Sequence, residues 1–408
     1  MKNTVKEIKN CTGCGLCSFI CPTGAISIVA DENREHFLYP HIDEQKCIKC
    51  GLCKQKCPAQ AKGITVDLEN NVYLYAETEW SKLKLSSSGG AFQTIAEHLL
   101  KKGNSSVYGA CWDSLKVVHK RITNIEELKK MLGSKYVQSY VSKDIYALIK
   151  KDLQNNYNVV FSGTPCQVAA VRTFLSKNEQ EKVLLIELLC HGVPSQWAFD
   201  KCIEHENRII KGSIKSFSFR HKIAHEKDNR NFVYTFRKNR HMYKTVGSFL
   251  FNPYYAAFHS YSIYRKSCYD CNFRNNRLSD IIIGDFWGLS KLNADVKSNF
   301  DKSLMIPLTK KGKKVVKSMC TNNNFNVSQV DKFNESLFRN STKNAKFADF
   351  NSRISDFSYY KKIRPDIRLF KAKISTKNFV KTMINLVLPK NKKMKHTELI
   401  YKVKKIKE

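Results

Sequence analysis

The chain has 408 residues, room for two or three folding units, and its 42% hydrophobic and 11% aromatic content excludes general disorder. Seventy Lys/Arg against 36 Asp/Glu give a formal charge of +34. The excess is uneven: residues 1–60 hold eight basic and six acidic side chains, whereas 361–408 hold sixteen basic and three acidic. Such a balance favours an acidic partner without choosing among an anionic small-molecule substrate, an acidic protein, an anionic membrane surface and nucleic acid. Met1–Asn10 carries no apolar stretch or cleavage-type site, and the longest apolar runs, Val183–Cys190 and Ile281–Ile283, are too short to span a bilayer. Fifteen cysteines without an export signal point to metal or redox chemistry in a reducing cytoplasm.

The N-terminus holds a repeated cysteine run. Cys11-Thr-Gly-Cys14-Gly-Leu-Cys17-Ser-Phe-Ile-Cys21-Pro22 has the spacing C-x2-C-x2-C-x3-C-P, and Cys47-Ile-Lys-Cys50-Gly-Leu-Cys53-Lys-Gln-Lys-Cys57-Pro58 repeats it. Three closely spaced thiolates wrap three corners of a cubane, glycines (Gly13, Gly15, Gly51) let the backbone turn around it, and the fourth cysteine reaches the other cluster. The spacing therefore assigns Cys11, Cys14, Cys17 and Cys57 to one [4Fe–4S] cluster and Cys47, Cys50, Cys53 and Cys21 to a second. Zinc also binds C-x2-C pairs, but it has no use for the third cysteine or the Cys-Pro ending. Short strands are expected at Ala25–Val29, Phe37–Ile42 and Gly63–Leu68, giving a bacterial-type two-cluster ferredoxin domain over residues 1–66.

From about Leu85 the texture alternates between helices and strands, an α/β layer pattern. Helix Gly90–Lys102 closes at Gly103, and strand Ser106–Trp112 follows. Asn124 with Glu127 caps a helix ending at Gly133. Helix Lys143–Gln154 leads to strand Asn158–Phe161, helix Gln167–Leu175, strand Val183–Leu189 and helix Gln196–Glu206. Ile214–Arg220, Phe232–Arg237 and Met242–Val246 then alternate and carry charges, as antiparallel or edge strands do. Ser279–Gly284 reads as a buried strand.

Six motifs in this stretch occur in order: Ser-Ser-Ser-Gly-Gly-Ala-Phe (86–92), Gly-Ser-Lys-Tyr-Val-Gln-Ser (133–139), Phe-Ser-Gly-Thr-Pro-Cys-Gln-Val-Ala-Ala-Val (161–171), Cys-His-Gly-Val-Pro-Ser (190–195), Cys268-Tyr-Asp-Cys271, and Ser-Asp-Ile-Ile-Ile-Gly-Asp-Phe-Trp-Gly (279–288). Over roughly residues 1–320 the chain resembles the coenzyme F-420 hydrogenase/dehydrogenase beta-subunit family, including members with a fused two-cluster ferredoxin domain. The resemblance implies a large domain that binds FAD and passes electrons between clusters and an acceptor, a deazaflavin in the archaeal enzymes. The expected fold is α+β and α/β: ferredoxin domain 1–66, a larger mixed-sheet α/β flavin-binding domain at 80–325, and a basic, helical tail at 326–408.

With that resemblance, the flavin pocket is expected where Ser87, Ser88, Gly89 and Gly90 meet Lys135, Tyr136, Gln138 and Ser139 and Thr164, Pro165 and Gln167, with His191 beside it. Backbone N–H groups before a helix hold a pyrophosphate; plain N-capping at Ser86–Gly90, a C-cap loop at Gly133–Ser139 and a loop role for His191 are the alternatives. No G-x-G-x-x-G follows a strand, so a Rossmann-type site is unsupported. A third [4Fe–4S] cluster is expected on Cys166, Cys190, Cys268 and Cys271, because two strand ends on one sheet edge and a C-x2-C pair would meet there; zinc, inert buried thiols and a flavin-adjacent Cys166 are the rivals. Cys111, Cys202 and Cys320 lack such settings, and no catalytic residue stands out.

The reading is an iron–sulfur flavoprotein oxidoreductase. Its electron donor or acceptor is a ferredoxin, a flavodoxin or a hydrogenase-type subunit. The alternative is a non-catalytic electron-transfer subunit of a larger redox complex. Nucleic acid is disfavoured, since no helix-turn-helix, zinc finger or aromatic-plus-basic RNA motif is present. In the tail, Phe379, Val380, Met383, Ile384 and Val387 share one helical face before Lys390-Asn-Lys-Lys-Met-Lys395. That suits peripheral contact with an anionic membrane, or an ordinary helix packed on the large domain.

Overall fold

The computed structural model describes residues 4–64, 71–223, 231–248, 252–259, 261, 263–274, 276–286, 301–320, 327–329 and 402–406. Near the N-terminus, β1 (Ile26–Asp31) and β2 (Phe37–Ile42) form an antiparallel hairpin in the register Ile26↔Ile42. Val5, Ile26, Ile42 and Cys53 make a very small core there. A unit of that size has little apolar burial of its own to hold it.

Four strands make the parallel heart of an eight-stranded sheet: β4 (Ser105–Asp113), β6 (Asn158–Gly163), β7 (Val183–Leu188) and β11 (Ile281–Asp285). Their apolar runs are nearly continuous because helices cover both faces. Alternation along each strand sorts the side chains. Val159, Phe161, Val183 and Leu185 face helices Lys143–Gln154 and Pro165–Phe174. Val160, Leu184, Ile186, Ile281 and Ile283 face helices Ala91–Lys101 and Lys310–Cys320. Antiparallel strands extend the sheet at both ends: β5 (Lys116–Ile122) beside β4, and β12 (Ser303–Pro307), β3 (Tyr73–Tyr75) and β13 (Val327–Gln329) beyond β11. The order is β13-β3-β12-β11-β7-β6-β4-β5.

A second, antiparallel sheet runs β14-β10-β9-β8, from β8 (Ser213–His221), β9 (Asn231–Lys238), β10 (His241–Ser248) and β14 (Lys402–Ile406). Its core is aromatic: Phe217, Phe219, Phe232, Tyr234 and Phe236 pack with Phe199, Tyr254 and Tyr255.

The mixed α/β architecture is as expected, with several local differences. The helix capped by Asn124, whose side chain accepts from Glu127 N–H, ends at Leu128, not Gly133. Thr164 and Gln167 form a capping box, so the next helix begins at Pro165, the position where a missing N–H is harmless. Cys268 lies in a one-turn helix, Lys266–Tyr269, not in a loop. Two strands of the large sheet, β3 and β13, come from outside residues 80–325, and the described parts of the tail are strands. The expected strand at Gly63–Leu68 beyond Ile64 and the amphipathic tail segment Asn378–Lys395 lie outside the described residues.

Asp280, 1% exposed, ties three elements at the start of β11. It accepts from Arg172 at 2.9 Å, Leu185 N–H at 2.8 Å and Thr309 at 2.7 Å, and Lys311 lies 3.3 Å away. Asp280→Ala removes the anion beside half-buried Arg172 and leaves the buried Leu185 N–H without its acceptor, and should cost about 1–3 kcal/mol. The check is the denaturation midpoint followed by far-UV circular dichroism; an unchanged midpoint would show that this carboxylate is not a keystone.

Candidate functional site

The two N-terminal cysteine runs fold alike. Gly15 (φ 83°) and Gly51 (φ 77°) each take the left-handed conformation and start one-turn helices, Leu16–Ile20 and Leu52–Gln55. A Cβ on Gly15 would also stand 2.5 Å from the Val141 carbonyl oxygen, so only glycine fits where this run meets the large domain.

The runs then exchange their last cysteines. Cys21 lines one cavity with Cys47, Cys50 and Cys53, enclosing about 360 Å³ of space partly open to solvent. The Cys53 thiol is pushed up by burial and by Cys50 and Cys21. Cys57 instead belongs with the first run. Burial, with Cys11 and Cys53 beside it, pushes its thiol up to about 11. Burial and then Cys17, Cys11 and Cys57 raise Cys14, and burial with Cys11, Cys57 and Cys53 raises Cys17.

A third group lies on the large sheet. β6 and β7 are adjacent and parallel, so Cys166, just past β6, and Cys190, just past β7, come out on one edge. The Lys266–Tyr269 turn brings Cys268 and Cys271 to the same place. Cys190 is raised by burial and then by Cys268, Cys166 and Cys271; burial pushes Cys268 up to about 12, with Cys166 and Cys271 adding to it. The Gly192 backbone lies flat on the Tyr264 ring, where a Cβ would come within 2.2 Å. Cys111 sits in β4, Cys202 pairs with Asn252, and Cys320 is exposed, all apart from these groups.

The ferredoxin segment docks on this edge. Tyr146 Oη donates to the Cys14 carbonyl at 2.7 Å, Ser267 Oγ to the Cys11 carbonyl at 3.2 Å and Gln138 Nε2 to the Thr12 carbonyl at 3.0 Å. The Cys166 thiol meets Thr164 Oγ1 at 3.2 Å, and the Thr12 side chain lies beside it. Asn276 Nδ2 donates to the Ala61 carbonyl, and Ile64 bridges Arg277. The first cysteine group thus abuts the third through Thr12.

The three segments expected around a flavin are linked in a chain. Ser134 N–H donates to Ser87 Oγ at 2.6 Å, and Gln167 Nε2 to the Ser139 carbonyl at 2.9 Å. Ser88 Oγ donates to the Lys302 carbonyl, Gly89 is pressed against Tyr75 and Ser303 backbone, and Gly90 (φ 93°) starts helix Ala91–Lys101. Lys135 is turned inward: Nζ donates to the carbonyls of Met131, Leu132 and Gly133, and burial holds it down to about 8. It caps the turn just before it. Tyr136 stacks on Phe258 at 4.0 Å. Gln138 faces the ferredoxin segment, Ser139 Oγ meets His119 Nδ1 at 2.6 Å, and Thr164 and Pro165 form the helix start. His191 is held below the usual range by burial and by Arg274, which donates to its carbonyl at 2.8 Å.

The cations beside the serine loop are ones the sequence reading missed. Arg220 donates to the Ser87 carbonyl at 2.9 Å and pairs with Asp285, and Lys222 donates to the carbonyls of Ser86 and Ser88. Both are nearly buried, at 5% and 7% exposure. No pattern in the sequence marked them, because Arg220 has a left-handed φ of 56° at an irregular end of β8 and Lys222 lies past the strand.

Residues 10–61 match the family profile described as a 4Fe-4S dicluster domain. Residues 157–332 match the profile for the C terminus of the coenzyme F420 hydrogenase/dehydrogenase beta subunit. The chain thus carries the C-terminal region of a coenzyme F420 hydrogenase/dehydrogenase beta subunit behind a 4Fe-4S dicluster domain. Comparison with curated proteins finds no match. Among solved structures, a chain of the F420-reducing [NiFe] hydrogenase complex from Methanosarcina barkeri is 18% identical, with a TM-score of 0.45 over 74% of this chain and 94% of that one. The present chain is an iron–sulfur electron-transfer protein. Among its described residues no helix is long and apolar enough to cross a membrane.

Gln167, 5% exposed, accepts from Thr164 N–H at 3.0 Å while holding Ser139. Gln167→Ala leaves a buried carbonyl and a helix start unsatisfied, and should lower stability by about 1–3 kcal/mol. A urea midpoint equal to wild type would mean the 133–139 loop is held by other contacts.

Proposed function

We propose that the chain is an oxidoreductase in which three four-cysteine groups each hold a [4Fe–4S] cluster and the serine loop holds FAD. The observation that carries this reading is the mutual proximity of Cys166, Cys190, Cys268 and Cys271, in contact through Thr12 with the Cys11, Cys14, Cys17 and Cys57 group. Thiolate sets of this kind suit iron–sulfur clusters, and the crossed placement of Cys21 and Cys57 supports the assignment of the other eight cysteines. Clusters pass single electrons and a flavin takes two, so together they would join one-electron to two-electron traffic.

This chain's own part is placement. Cys50 is exposed and Ile48 is 64% exposed, so the second cysteine group is the one a partner protein can approach. Such a partner would be a ferredoxin, a flavodoxin or a hydrogenase-type subunit. The serine loop suits a pyrophosphate in that Gly90 opens an eleven-residue helix and Arg220 and Lys222 hold the loop's carbonyls. The acceptor is a deazaflavin such as coenzyme F420 or another small anionic molecule drawn by the positive charge. We keep the division at 1–66, 80–325 and 326–408 as a proposal, with the large unit widened to take in β3 and β13.

Anaerobically purified protein should carry about twelve irons per chain and not about eight, and Cys268→Ser with Cys271→Ser should remove about four. Cys21→Ser should abolish the same paramagnetic signal as Cys47→Ser, leaving that of Cys14→Ser distinct. Denaturation should release FAD, detected by fluorescence. Iron at eight, or clusters without flavin, would favour a non-catalytic relay subunit.

A further inference from the structure

Arg265 is 0% exposed, one of two fully buried arginines among the described residues. Its guanidinium donates to Gln138 Oε1 at 2.7 Å and to the Leu38 carbonyl at 3.0 Å, and lies 3.5 Å from the Cys11 carbonyl. It sits 4.7 Å over the Phe37 ring and 4.6 Å over Tyr39. Its Nε has no hydrogen-bond partner among the described residues. None of those acceptors carries a charge. The carboxyl within its field is Glu35, but burial holds Glu35 up at about 8, so near neutral pH that group is protonated.

A guanidinium taken out of water without an anion is strongly unfavourable. The neighbouring Arg277 illustrates the usual remedy, a buried pair with Glu187. For Arg265 the anions at hand are sulfurs. Its own carbonyl accepts from Cys268 N–H at 2.8 Å, and its positive charge bears on both Cys166 and Cys268 of the third group. On the other side it touches the Cys11 backbone of the first group, and the Gly13 backbone is packed so closely that a Cβ there would lie 2.7 Å from the guanidinium.

We propose that Arg265 is a positioning residue that serves as the shared counter-ion of two metal centres, those on Cys11, Cys14, Cys17 and Cys57 and on Cys166, Cys190, Cys268 and Cys271. The inference rests on the three-cluster reading above. A four-thiolate cluster is anionic, and taking up one electron makes it more negative by one charge. A fixed buried cation between two such centres favours the reduced form of each and raises both potentials together. The same fork spans the ferredoxin and large domains, so it also sets the distance an electron crosses.

The test uses the full chain, wild type, Arg265→Met, Arg265→Lys and Gln138→Glu, with iron analysis and an EPR-monitored titration against dithionite. Gln138→Glu supplies the missing carboxylate beside the guanidinium without removing the cation. At full iron content, Arg265→Met and Gln138→Glu should each move two of the three signals about tenfold toward the oxidised form, about 59 mV for a one-electron couple. Arg265→Lys, which keeps the charge, should move them far less. Should Arg265→Met fail to fold, Gln138→Glu decides alone. Unchanged potentials at about twelve irons overturn the counter-ion role, and a shift in one signal only overturns the sharing. Wild type with only about eight irons would instead mean that the third-centre reading itself has failed, and the shared role with it.

Discussion

Adjacent parallel strands end on the same edge of a sheet, and this rule decides where buried thiols of the large domain can meet. β6 and β7 deliver Cys166 and Cys190 to that edge, and the segment 265–277 crosses it with Cys268 and Cys271. The same edge receives β11 with Asp285 and, through the antiparallel β12, Ser303 and Lys302, against which the serine loop is packed. Redox-type and anion-type features therefore gather on one side of the sheet, as ligand sites in open α/β sheets commonly do.

Burial is what makes those thiols unusual. Cys14, Cys190 and Cys268 are each raised first by loss of solvent and then by their neighbours, so as free thiols they would stay protonated. Metal ligation reverses that balance, because the thiolate is the ligand and the ion supplies the opposing charge. The arginines of 265–277 act in the same direction: Arg274 and Arg277 both work to lower Cys271. The small ferredoxin unit gains in another way, since docking on Tyr146, Phe174 and Gln138 adds the apolar and hydrogen-bonded contact its own core lacks.

Local chemistry was readable from the chain. The C-x2-C-x2-C-x3-C-P spacing, the left-handed glycines before each short helix, the Asn124 cap and the continuous apolar strands all depend on neighbours close in sequence, where residue type and geometry are tightly coupled. The grouping of Cys166 with Cys190 also followed from the α/β alternation, once parallel strands were assumed. Tertiary structure decided what spacing cannot carry. Lys135 turned inward because the turn just before it offered three carbonyls, while Arg220 and Lys222, some 130 residues away in sequence, reached the serine loop from the end of β8. Arg265 gave no signal at all, since an isolated arginine in a polar loop looks solvated until two domains close over it. Charge burial is a property of the assembled fold, and the sequence alone lists the charges without saying which ones lose their water.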